Sequence, residues 1–109
     1  MIKLIKSAGL LFFLFSTPFS MAAENYVSGK ITNITAIEGA LLVKVENQII
    51  PENCVGTPYN WMKIKQENTT MVSVVLAQWA ANNRMATVYT SGIETGGQYC
   101  LVIQVDPAG

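Results

Sequence analysis

The residues able to do chemistry in this chain are few, and they are suited to recognition. There is no histidine among the 109 residues. The carboxylates Glu38, Glu46, Glu52, Glu67, Glu94 and Asp106 stand singly. No HExxH, GxSxG or glycine-rich phosphate loop occurs, and no residue group has metal-ligand spacing. A glycosidase would need two of those carboxylates to converge in space. Nucleophilic or redox use of Cys54 and Cys100 would need an activating base or a C-x-x-C spacing, and neither is present. What remains is Tyr59, Trp61, Lys63 and Lys65, which alternate along one short stretch. Aromatic planes stack on sugar rings or bases, and lysines favour anionic groups such as a carboxylate or phosphate. In the plainer alternative, Trp61 packs against the loop of residues 51–58 and the lysines are solvated. Either way the expectation is a protein that is not an enzyme and uses neither metal nor cofactor.

The N-terminus sets where this chemistry would operate. Lys3 and Lys6 precede an apolar run over residues 8–15, which Ser16-Thr17-Pro18 interrupts; small residues follow at Ser20, Ala22 and Ala23. That is the layout of a cleaved export signal, residues 1–22, cut after Ala22 or Ala23. A membrane span needs about 20 apolar residues, more than this run has, and nothing downstream has that length. The protein is therefore expected to be secreted or periplasmic, with no membrane span. The leader has a bacterial style, so the sequons beginning at Asn33 and Asn68 read as chance matches.

A cut after Ala22 leaves 87 residues, enough for one small domain over residues 23–109, with five basic against seven acidic residues and a net charge of −2. Such a charge disfavours nucleic acid as a partner, because non-specific binding to it relies on positive potential. A domain of this size is marginal without a staple. Two cysteines in an oxidising compartment supply one, a Cys54–Cys100 disulfide. Closing a loop of about 45 residues restricts the unfolded chain by roughly 4 kcal/mol.

The elements that must position these residues follow from periodicity. Residues 27–37 are rich in β-branched side chains, but Ile31, Ile34 and Ile37 are three apart, which a bulge near Asn33 would reconcile with one buried face. Gly39 marks a turn. Leu41, Val43 and Val45 then alternate with Leu42, Lys44 and Glu46. Residues 59–66 alternate again, with Met62 and Ile64 opposite the aromatic and lysine face. Asn68 offers a helix N-cap, residues 70–84 have helical composition, and Asn82-Asn83 is a stop. Residues 85–90 and 98–105 read as the last two strands. The order is β-β-β-α-β-β, mainly β with one helix. That is the connectivity of an OB-fold five-stranded barrel.

The helix carries more apolar surface than one sheet should need. Val72, Val75, Leu76 and Trp79 form one stripe, yet Met71, Val74, Ala77, Ala80 and Ala81 fill most of the rest. The choice lies between alanines serving as helix formers on an exposed face and a subunit interface along Met71, Val74, Gln78 and Ala81. The stretch from Tyr99 to Val105, apolar except at Gln104, suits a strand buried on both faces, one paired across an interface, or a central barrel strand.

With these pieces assembled, the chain resembles the subtilase cytotoxin B subunit-like family of small exported proteins. The residues that carry the likeness are Gly29-Lys30-Ile31, Leu42-Val43-Lys44-Val45, the cysteine loop, Tyr59-Asn60-Trp61, Ala80-Ala81-Asn82-Asn83 and a last strand holding Cys100. The resemblance implies an OB-fold and a ring-shaped pentamer with helices lining a central channel. It also implies binding of cell-surface glycans on the outer strands, and a catalytic A-type subunit as partner. Its sugar-contacting serine and tyrosine have counterparts in Tyr26 and Ser28. The competing expectation is a monomeric periplasmic OB-fold module that binds a protein or small ligand or inhibits an enzyme.

Overall fold

The structure, a computed structural model, describes residues 21–107. The charged and apolar parts of the expected export signal lie outside the described residues. Its last residues do not: Met21–Ala22 form a two-residue strand, β1, paired with Val27 and Ser28. On the other side of the expected cut, the Ala23 carbonyl accepts from the Glu52 N–H and the Glu24 carbonyl from the Asn53 N–H. The main chain after the cut is thereby tied to the loop that carries Cys54.

The fold is mainly β with one helix. Five longer strands follow β1: β2 Tyr26–Ile37, β3 Ala40–Val45, β4 Met62–Lys65, β5 Met85–Ile93 and β6 Cys100–Pro107; the helix α1, Thr69–Ala81, lies between β4 and β5. Gly39, at φ +80°, turns β2 into β3 in the left-handed region where glycine carries no Cβ penalty. Ile31 pairs with Val45 and Asn33 with Lys44, so Thr32 is the extra residue of a bulge, one position before the place expected. The bulge keeps Ile31 buried and returns Ile34 to the core side, where it is partly buried.

All five longer strands belong to one sheet, and each has two of the other four as hydrogen-bonded neighbours. The order runs β2-β3-β4-β6-β5, and β5 pairs back onto β2. Every pairing is antiparallel except β4 with β6, which is parallel and rests on Met62↔Cys100 and Lys63↔Leu101. Period two then sorts the side chains. Leu41, Val43, Met62, Ile64, Val88 and Val102 point into a shared core, which Val75 of α1 closes. Leu42 keeps the other face of β3 from being wholly polar. It is 1 % exposed, between its ladder partners Thr35 and Lys63 on the outer side of the sheet.

Three expectations need correction. β4 is half the expected length, because residues 58–60 form a 3-10 turn in which Tyr59 and Asn60 both have positive φ. Leu76, read as part of the buried helix stripe, is 45 % exposed: the sheet-facing centre runs through Val72, Val75 and Trp79, and Leu76 lies one 100° step past it. Burial of the last strand on both faces within the chain does not occur, since Val102 is buried while Ile103 is 58 % exposed. At the helix ends, Asn68 holds the N-cap position without a side-chain capping bond. Asn82 adopts the left-handed conformation, and its N–H reaches the Gln78 and Trp79 carbonyls, the stop expected of it.

The Cys54–Cys100 disulfide is present, with both residues fully buried and their Cα atoms 5.1 Å apart. It joins the loop before β4 to the first residue of β6, beside the short parallel seam. Thr57 supports the same junction. Its hydroxyl donates to the Trp61 carbonyl at 2.6 Å and accepts from the Cys100 N–H at 3.0 Å.

Candidate functional site

Tyr26 and Ser28 lie on the outer side of β2, because Val27 between them and Gly29 after them turn inward and are buried. On β5 the same alternation buries Ala86, Val88 and Thr90 and leaves Thr87 and Tyr89 outside and half-buried. The register brings the two sets together: Tyr26 pairs with Tyr89 and Ser28 with Thr87. β6 adds a third column, with Gln104 opposite Tyr89 and Asp106 opposite Thr87. The tyrosine rings stand 5.5 Å apart between centroids, tilted by 45°. The Ser28 and Thr87 hydroxyls are 2.7 Å apart and share one hydrogen bond, which leaves one hydroxyl proton and several lone pairs free to face a ligand. Aromatic rings beside hydroxyl, amide and carboxylate groups can stack on a sugar face and bond its hydroxyls.

Sequence reasoning reached Tyr26 and Ser28 but missed Thr87 and Tyr89. The alternation within residues 85–90 puts Thr87 and Tyr89 on one face. Only the long-range register puts that face beside Tyr26.

The second candidate set is dispersed. Tyr59 is 81 % exposed in the left-handed turn, a conformation that costs a bulky residue on the order of 1–2 kcal/mol. Trp61 precedes β4, and the Lys44 ammonium sits 4.4 Å over its ring centroid. Lys63 and Lys65 do share the outer face of β4. They converge on Glu94, at 2.8 Å and 3.4 Å from its two oxygens. The expected row of aromatics and free lysines is therefore one cation–π pair, one exposed tyrosine and two lysines already engaged. In the sequence Glu94 is only one of the isolated acids.

The hydrogen bond from Lys63, helped by the charges of Lys63 and Lys65, holds the Glu94 carboxyl below its ordinary value against some opposing desolvation. A depressed carboxylate contributes stability that is complete above its unfolded pKa and is lost as pH falls through the folded one. Acidification through that lowered midpoint should thus release the β5–β6 loop from β4. NMR titration should show a Glu94 midpoint below the ordinary glutamate value, and Lys63→Met should raise it. A midpoint unmoved by that substitution would rule the explanation out.

The four helix residues read as an interface share one face of α1, and that face is turned largely toward the sheet. Met71 packs against the core and Val74 is half-buried. Gln78 is buried, and its amide donates to the Asn83 and Met85 carbonyls, so it offers no surface to a partner. Ala81 is exposed. The free side of α1 is instead Ser73, Leu76, Ala77 and Ala80.

Among the described residues no group of three or more histidine, cysteine, aspartate or glutamate side chains could hold a metal ion, and no helix is long and apolar enough to cross a membrane. No family model, curated protein or solved structure matches this chain.

Proposed function

We propose that this chain is an exported, non-enzymatic binding subunit with an OB-fold barrel, which assembles into a ring and takes cell-surface glycans on the outer face of β2, β5 and β6. The barrel reading is supported by the circuit of strand pairings, by its single parallel contact and by a helix between the third and fourth longer strands. Export is supported by the N-terminal charge and hydropathy pattern together with a buried disulfide, a bond that persists in oxidising compartments. Assembly is supported by the apolar side of α1 that this chain leaves uncovered. Delivery of a catalytic A-type subunit is the role that the resemblance to B subunits adds.

The observation that carries the glycan reading is the pairing of Tyr26 with Tyr89 beside Ser28 with Thr87. The test is retention of the mature protein on a glycan array. Wild type should bind a defined subset of glycans. Tyr89→Ala should weaken that binding about tenfold, the equivalent of roughly 1.4 kcal/mol, with the disulfide and the thermal transition kept. Absence of any glycan hit, or retention indifferent to both Tyr89→Ala and Thr87→Ala, would sink the reading.

A further inference from the structure

A groove of about 430 Å³ runs between the β2–β3 hairpin tip and the first half of α1. Ile37, Ala40 and Leu41 form one wall, and Val72, Ser73 and Leu76 the other. Its outer lips are Ile37 and Leu76, each about two-fifths exposed. No lining residue is charged. The rim is another matter: Glu38 follows Ile37 and Glu67 follows Gln66, both exposed, and among the described residues neither forms an ion pair. An apolar slot with two carboxylates at its mouth fits an apolar side chain flanked by cations.

This chain carries such a side chain elsewhere on its surface. Outside the groove the exposed large apolar residues are Val55, Tyr59, Met85, Ile93 and Ile103. Of these, Met85 has cations as immediate neighbours, Arg84 before it and Lys30 across the ladder. The Arg84 guanidinium is held 3.6 Å over the Trp79 ring, which fixes its charge at the C-terminal end of α1. The Glu46 carboxylate, which accepts the Lys30 backbone N–H, offsets one of the two positive charges and leaves this edge net positive. The Met85 carbonyl is bound by Gln78, near the end of the helix, whereas the groove uses Thr69 to Leu76. The 13 residues of α1 span about 20 Å, so the groove and Met85 sit at opposite ends of the helix.

From this geometry we infer that the groove receives Met85 of a second copy, with Lys30 and Arg84 of that copy facing Glu38 and Glu67. Such a contact is heterologous: each copy offers a groove at one end of its helix and a knob at the other, the arrangement that closes rings. The inference rests on the assembly reading above and names the surfaces that meet.

Two charge changes test it, both on exposed residues. The Lys30→Glu, Met85→Asp double variant turns the knob edge net negative and sets it against the acidic rim. The Glu38→Lys, Glu67→Lys double variant sets a basic rim against Lys30 and Arg84. Wild type should assemble by native mass spectrometry and light scattering, and each variant alone should run as a monomer. An equimolar mixture of the two variants should assemble again, into alternating chains or even-membered rings, since each groove can then take a knob of opposite charge from the other variant. Variants that assemble like wild type, or a mixture that stays monomeric after both variants have lost assembly, would overturn the groove contact while leaving an oligomer by another surface. A wild type that is monomeric throughout would overturn the assembly reading itself.

Discussion

Replacing Cys54 and Cys100 together by alanine should lower the free energy of unfolding by about 4 kcal/mol. The bond closes a separation of 46 residues, and its loss returns that conformational freedom to the unfolded chain. The native state loses something too. Cys100 begins β6 and pairs with Met62 in a parallel seam only two residue pairs long, so the bridge reinforces the shortest junction among the five longer strands. Domains of this size have roughly 5–15 kcal/mol of stability in total, and the variant should be close to the lower edge of folding. Urea titration under oxidising conditions measures the difference directly. Both cysteines are fully buried, so a reductant should act on the wild type only as fast as the fold opens. A loss below about 1 kcal/mol would mean that the seam and core hold β6 without the bridge.

Ile64→Ala should cost about 3 kcal/mol, whereas Lys63→Ala and Lys65→Ala should each cost under about 1 kcal/mol. The three residues are consecutive on a four-residue strand, and period two separates their fates. Ile64 is fully buried opposite Leu41, and truncation removes transferred apolar surface and leaves a cavity that the closed circuit of strands cannot readily collapse. Lys63 and Lys65 face outward to Glu94, and one carboxylate serves both, so removing either leaves the other paired. Denaturant midpoints of the three variants at one pH give the comparison. Similar losses at all three positions would contradict the inward and outward assignment of β4.

Much of the element order was legible because its causes are local. The Gly39 turn follows from backbone sterics, the alternation at Leu41, Val43 and Val45 from the pleat, and the helix stop from the tolerance of Asn82 for positive φ. Each of these acts within a few residues. The disulfide was legible for a different reason: with two cysteines there is one pairing to make. The turn of residues 58–60 was not. Asparagine at position 60 is a fair left-handed residue, but tyrosine at 59 is a poor one, so nothing in its type announces a positive φ.

The candidate surfaces depended on distance along the chain. Ser28 meets Thr87 across 59 positions and Lys63 meets Glu94 across 31. The resemblance pointed to Tyr26 and Ser28 and residue type to Lys63 and Lys65, but their partners follow from strand register, and a slip of one residue would send each set to the opposite face. The helix makes the same point. The sequence by itself determined that α1 is apolar nearly all round. Which side the sheet covers depended on where β6 and the start of β5 meet it. That contact buried Gln78, whose amide found two carbonyls beyond the helix end, and it left Leu76 exposed at the lip of a groove. Local periodicity specifies how much apolar surface an element carries; only the packed tertiary structure decides which of it remains for a partner, because that choice is made by residues far away in the chain.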